Sequence, residues 1–489
     1  MRQRFDTIDI IDLRGDSRRA RPAGIPKDDN VFAIQVGVCV TIAVAYGGPR
    51  VPGTSARIRY ADAWRGNHFT ASEKLDWLDN GTRNPAAIDF VEIDTADLAD
   101  FVPKSFQGLD WPSLRSTFSF GSSGIETKRD HLAYALSEMQ LRHQIHEFSL
   151  LPEDEARVLF HETGARLSEE AKQVNWDRGA VVRVAYRPMD VRSLYLHEAF
   201  IDRRRPALQD CWGATNVGMF AMPNGTGAGP AIWIHSDLPD RHAFRGSYGG
   251  YAFPLWDRRT GNEVSNFAPY VIAGLSATYG QPVAVESIFD ATAALLSATT
   301  YTRRFAWDLE ESFAHIPFPA DSATFAAAAR IGAEIRALET FARSPAQRFR
   351  TARLAGRATG VTLAVPTPRL AYLDDGAGGG FIPLQEDQSL RIAGVPNGVW
   401  EFAVSGYPVL YRFLSARNGE ALDAPMHRAI LDLVWRLTEL LHWFDAADAV
   451  LADALVRPLT NADLGLAPAS PTRPAGLDSD HHEPDDTPA

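Results

Sequence analysis

The stretch Ile-Asp-Ile-Ile-Asp-Leu-Arg-Gly-Asp-Ser-Arg-Arg (Ile8 to Arg19) decides how this chain reads. A polar loop separates it from Asn-Val-Phe-Ala-Ile-Gln-Val-Gly-Val-Cys-Val-Thr-Ile-Ala-Val-Ala (Asn30 to Ala45). Ile8 to Leu13 and Val36 to Ala45 are apolar and β-branched, the composition of buried strands. Arg14 to Asn30 is a Gly/Pro/Asp loop that carries Arg14, Arg18, Arg19 and Arg21. The chain thus opens with a strand, a basic loop, a turn and a second strand.

Composition bounds the rest. The chain has 489 residues, 45% of them hydrophobic, enough for a large core and roughly two to four domains. Net charge is -12, so no broad basic field marks a nucleic-acid binder, and such binding has to rest on a local surface. Cys39 and Cys211 are too few for a disulfide framework or a four-cysteine zinc site, which fits a reducing cytoplasm. Val31 to Ala45 is too short to span a bilayer and contains Gln35.

Outward from the opening, Ile58 to Leu78 reads as a strand and then a short helix. Thr127 to Phe148 and Glu153 to Val174 have helical spacing. Val181 to Ala185, Val217 to Met222, Ala231 to His235 and Tyr251 to Leu255 read as strands. Ser287 to Ser297 is helical, Pro317 and Pro319 break the run, and Asp321 and Ser322 are N-caps for a helix with Phe325, Ala328, Ile335, Leu338 and Phe341 on one face. Arg350 to Ala393 is strand-like with a turn at Gly376 to Gly380. Met426 to Leu455 is a long amphipathic helix or helix pair, and the Pro/Ala/Asp-rich end is expected to be disordered.

Several chemistries are excluded. Gly225 to Gly229 precedes a strand rather than a helix, so it lacks the helix N-terminus that holds a phosphate. No Walker-type Gly-Lys-Ser/Thr loop is present. Asn84-Pro85-Ala86-Ala87 does not supply the Pro-Pro-aromatic loop that an adenine-N6 methyltransferase needs around its flipped base. Glu170-Ala171-Lys172 lies in a charged helix, and His481-His482 in the acidic tail is a weak metal candidate at most. No cofactor and no metal are expected on this chain.

The remaining chemistry is arginine-rich. Arg187 and Arg192 follow a strand, and Arg203, Arg204 and Arg205 form a run. Arg241 and His242 follow the next apolar strand, and Lys128 and Arg129 stand at a helix start. The planar guanidinium fork suits phosphate and guanine edges. Each cluster also carries its own Asp, so an internal ion-pair network is the structural alternative.

In order along the chain, these segments resemble the C-terminal half of type ISP restriction-modification enzymes and related adenine-specific DNA methyltransferases. The resemblance runs from Ile8 to about Leu455. It rests on Ile11 to Arg19, Asn30 to Val38, Gly124 to Asp130, Tyr186 to Asp190, Ser236 to Phe244, Tyr251 to Leu255, Ile316 to Pro319 and Trp400 to Tyr407. Met189 stands where the family usually has Phe, and Ser405 where it has a second Gly. The family's nuclease, helicase and cofactor-binding methyltransferase core are expected to be missing.

The resemblance implies an α/β and α+β fold. A partial Rossmann-like methyltransferase sheet (1-47) would precede a mixed α+β target-recognition domain (48-345), an α+β and helical C-terminal part (346-465) and a tail (466-489). It implies that Phe32 packs against a flipped adenine, the alternative being a core position. It implies double-stranded DNA as partner. S-adenosylmethionine would be bound only in a complete methyltransferase, whose core would come from a partner polypeptide docking on the exposed edge at Ile8 to Leu13. A non-catalytic DNA-binding remnant or a protein-interaction component is the alternative.

Overall fold

A computed structural model describes residues 4–17, 25, 27–47, 56–93, 110–162, 166–244, 249–306, 308–310, 312–356, 362–363, 372–376, 379–385 and 387–466. The expected disordered tail, except Leu466, lies outside these residues. So do Arg18, Arg19 and the His481-His482 pair. Among the described residues, no helix is long and apolar enough to cross a membrane.

The opening stretch forms β1 (Thr7–Arg14), which lies inside a four-stranded sheet of order β2–β1–β3–β4. The other strands are β2 (Val38–Val44), β3 (Arg57–Asp62) and β4 (Val91–Glu92). β1 is apolar on both faces because both are covered. Ile8 and Ile10 pack with Ile58 and Tyr60 on one side, Ile11 and Leu13 with Ala61 and Trp77 on the other. The two acids between them are matched: Asp9 takes a bidentate fork from Arg59, and Asp12 accepts from the Tyr60 hydroxyl at 2.7 Å.

This placement corrects one expectation. β1 is not an edge, since β2 pairs antiparallel on one side and β3 parallel on the other. The open edges belong to β2 and β4. Packing also does not divide at residue 47, because β3 and the helix Ala71–Arg83 complete the opening sheet.

Residues 111 to 464 share one hydrophobic core. Two four-stranded sheets sit in it. The first, ordered β10–β9–β12–β5, comprises β5 (Ser122–Ser123), β9 (Gly218–Ala221), β10 (Ile232–His235) and β12 (Tyr251–Pro254). The second, ordered β11–β7–β8–β6, comprises β6 (Tyr134–Ala135), β7 (Val181–Arg187), β8 (Asp190–Tyr195) and β11 (Leu238–Pro239). A ribbon of β13 (Trp256–Asp257) and β14 (Val264–Ser265) follows. The sheet β15–β18–β17–β16 is built from Arg353–Gly356, Leu373–Asp374, Gly380–Pro383 and Leu390–Val395, with β16 and β17 as the hairpin that the glycine-rich turn implied.

The helical part packs around Val285–Ser297, which is buried from Ile288 through Ser297. A stretch this rich in Ala, Leu, Ile and Phe belongs in a core. Ser322–Glu339 crosses it closely at Gly332, where an added Cβ would lie 1.7 Å from the Asp290 carbonyl oxygen. Asp321 caps that helix by accepting from the Thr324 amide. Phe341 falls outside it with φ +59, under the Arg436 guanidinium at 4.4 Å. Met426 to Ala454 lies in one unbroken helix, Ala424–Ala454, with Leu455 as its C-cap.

Two expected helices are interrupted. Thr127 to Phe148 contains the short helix Asp130–Ala133, then β6, then Glu138–Leu150 started by the Ser137 cap. Glu153 to Val174 splits at His161, which ends Glu153–Phe160 in the left-handed region.

Candidate functional site

Two surfaces carry the residues that the sequence pointed to. The first is the loop between β1 and β2. Asp28 is its anchor: it accepts from the buried Lys74 ammonium at 2.6 Å, from the Trp64 indole at 3.0 Å and from the Gly15 amide at 2.7 Å. Asn30 then ties the two limbs together, donating to the carbonyls of Gly15 at 3.0 Å and Val36 at 2.6 Å and accepting from the Phe32 amide at 2.8 Å. Phe32, on this stapled turn, is 62% exposed, so the core position weighed for it is not what the fold shows. It continues into an apolar run: Ile34, Val36, Val40, Ile42, Val44 and Tyr46 are all exposed. A long apolar edge strand with open backbone groups is a pairing template.

The second surface joins three arginine-bearing segments that are far apart in sequence. Gly124 to Glu126 lies between Pro239 to Arg241 and Asp202 to Arg203. The Ile125 amide donates to the Pro239 carbonyl at 3.0 Å and the Arg241 amide to the Ile125 carbonyl at 2.8 Å. On the other side the Asp202 and Arg203 amides both donate to the Glu126 carbonyl. A side chain at position 124 would collide with backbone, since its Cβ would stand 2.5 Å from the Arg241 nitrogen. Glycine is the residue that lets these segments meet.

Inside this seam, arginines and carboxylates pair. Arg187 holds Asp240 at 2.6 Å and lies 3.6 Å from Asp130. Arg192 and Arg417 both hold Asp190, at 2.9 and 2.6 Å. Burial pushes the Asp190 carboxyl up, but Arg417 and Arg192 outweigh it and hold the group below the usual carboxylate range. For Asp240 burial wins over Arg187, and its pKa is raised. The guanidiniums of Arg187 and Arg192 lie 3.7 and 4.2 Å from the centre of the Tyr186 ring, and its hydroxyl donates to Asp130 at 2.9 Å. The Tyr134 hydroxyl donates to Asp240 at 2.9 Å.

Arg129 is fully buried. It stacks on Phe160 at 4.3 Å and donates to the Thr127 carbonyl at 2.9 Å. Desolvation lowers its pKa, with Asp202 acting against that. Arg205 is buried with φ +58, and Arg241 is mostly buried, its guanidinium 3.1 Å from Glu126. Solvent-facing charge is left at Lys128, 2.9 Å from Asp202, and at Arg203, 3.5 Å from Glu126, with Arg204 and His242 partly exposed. So the ion-pair network describes Arg187, Arg192 and Arg241. The seam brings Lys128, Arg203, Arg241 and His242 together.

A cavity of about 380 Å³ opens beside the seam, lined by Glu126, Thr127, Lys128, Asp130, His131, His161 and His242. Sequence reading missed His131 and His161. Each is a lone histidine in a charged segment, and only the turn at His161 brings them to an edge-on contact of 5.5 Å. Among the described residues, no group of three His, Cys, Asp or Glu side chains could hold a metal ion.

The family model described as "Type ISP C-terminal specificity domain" matches residues 116–432. The chain belongs to this family. No curated protein matches it. Among solved structures it resembles a nuclease-deletion mutant of the Type ISP restriction-modification enzyme LlaGI in complex with a DNA substrate mimic, at 17% identity and TM-score 0.65, over 91% of this chain and 37% of that one. It also resembles the ATP-dependent Type ISP enzyme LlaBIII bound to DNA (18%, TM-score 0.66, 92% and 31%) and DrdV in its DNA complex (19%, 0.62, 96% and 48%). At these identities the likeness is one of fold, a mixed α/β architecture of several small sheets and packed helices. The chain spans about a third to a half of the length of these structures. The seam and the cavity of this specificity domain lie within the matched residues.

Proposed function

We propose that this chain reads the DNA target sequence for an adenine-N6 methyltransferase of a Type ISP-like restriction-modification or phage-defence system. The observation that carries the reading is the family match over 116–432, which encloses the seam of Lys128, Arg203, Arg241 and His242. The three solved structures named above are DNA complexes, which supports double-stranded DNA as the partner. On this reading the chain works in the cytoplasm.

We infer that S-adenosylmethionine is not held by this chain. Gly15, in the turn after β1, is closed: Asn30 Cα stands 2.7 Å from where a Cβ would be. We assign the methyl donor and the base-holding loop to a methyltransferase core on a partner polypeptide. The open apolar edge of β2 is the strand on which that core would extend the sheet, with Phe32 beside the flipped adenine.

The test is methyl transfer to duplex DNA from tritiated S-adenosylmethionine, with this chain alone, the core polypeptide alone and the two mixed. The mixture is expected to incorporate label. Ile42→Lys, on the exposed edge, is expected to abolish that while leaving DNA binding intact. Incorporation by this chain alone would overturn the division of labour.

A further inference from the structure

The cavity beside the seam has a donor surplus that its own carboxylates do not use up. Glu126 is flanked by the guanidiniums of Arg241 at 3.1 Å and Arg203 at 3.5 Å. Asp130 accepts from the hydroxyls of Thr127 and Tyr186. Asp130 also lies 3.6 Å from the Arg187 guanidinium, so both acids have a cationic neighbour. The other lining groups are donors or convertible to donors: the Lys128 ammonium, with one of its three protons directed at Asp202, and three imidazoles. His131 is placed by a 2.7 Å contact of Nε2 with the Leu159 carbonyl oxygen. Among the described residues no hydrogen bond engages the ring nitrogens of His161 or His242.

Backbone strain points to the same place. Lys128 (φ +55) and His161 (φ +52) both sit in the left-handed region, which is strained for a non-glycine residue. Two such residues face one cavity. Arg129, buried behind them, links the two turns by donating to the Thr127 carbonyl and, at 3.5 Å, to the His161 carbonyl. The fold therefore spends strain and a buried cation on holding Lys128 and His161 across the same space.

We propose that this cavity is a phosphodiester-binding site that seats one backbone phosphate of bound DNA, gripped by Lys128, His161 and His242. Its volume exceeds that of a phosphate group and leaves room for the flanking sugars. Such a contact fixes the position of the protein on the duplex without reading bases. The assignment rests on the DNA-recognition reading given above and names the part of the seam that touches the backbone.

The experiment is equilibrium binding of the full chain to mixed-sequence duplexes across a salt series, for the wild type, Lys128→Ala and His242→Gln. Unfolding midpoints confirm that both variants are folded. Each variant is expected to bind roughly tenfold more weakly at low salt, and Lys128→Ala to lower the salt slope by about one. Wild-type slope and affinity in both folded variants would overturn the proposal while leaving DNA recognition standing. No binding by the wild type at low salt would overturn both. A second arm follows the histidine resonances on addition of inorganic phosphate. Saturable millimolar shifts alongside unchanged DNA slopes would mark a free-anion site and refute the backbone assignment.

Discussion

Glu339 ends the helix Ser322–Glu339 and is fully enclosed, with its carboxyl accepting the Ile234 amide of β10 at 2.7 Å. Burial pushes its pKa up to about 8, against 4.5 for the free side chain, with the Ile234 bond pulling the other way. Between those two values the folded chain keeps a proton that the unfolded chain has lost. Stability is therefore fully present below pH 4.5, falls as pH rises, and is level again above about 8. The slope is about 1.4 kcal/mol per pH unit per proton, so the two units from pH 5.5 to 7.5 cost on the order of 3 kcal/mol. That is a large part of the ~5–15 kcal/mol that holds a domain folded. Glu339→Gln keeps the shape and the acceptor but does not titrate. Urea unfolding at pH 5.5, 6.5 and 7.5 should show the variant gaining on the wild type by about 3 kcal/mol across the range. His235, pushed down to about 4 by burial, stays neutral throughout, and the comparison cancels other shared titrations such as that of Asp308. Parallel stability curves for the two proteins would refute the reasoning.

Further outcomes follow from the packing. Arg417→Ala removes one of two guanidiniums on the buried Asp190 and should destabilise the chain by about 3 kcal/mol in denaturant unfolding, with the Asp190 carboxyl rising toward the usual range. Gly332→Ala puts a methyl against the Asp290 carbonyl, forces the two central helices apart and should cost about 2–3 kcal/mol, read as a drop in melting temperature.

How much of this was visible in the sequence depends on range. β1, β2, β7, β9, β10 and β12 were legible because each is a short apolar β-branched or aromatic run between turn residues. The helix cap at Asp321 was legible because capping is local chemistry. The pairing of β3 with β1 was not, since a parallel partner is chosen by tertiary packing, and so the edge was assigned to the wrong strand. The break at Tyr134 was hidden because a buried tyrosine pairs with Leu194 where helical periodicity alone predicts continuation. The helix Pro269–Tyr279 was missed because it is apolar without a stripe; its Gly274 lies against Leu464. For the site, the sequence supplied Lys128, Arg203, Arg241 and His242 as separate clusters. It could not show that bridges at Ile125 and Glu126 place them side by side, nor that Arg129 turns inward.

The central claim is that this specificity domain selects a DNA sequence. The most direct measurement is to bind the purified chain to a pool of random-sequence duplexes at moderate salt, recover the bound fraction over several rounds and sequence it. The account predicts enrichment of one short recognition sequence. A recovered pool as random as the starting one, from a chain that binds DNA or from one that does not, would contradict it.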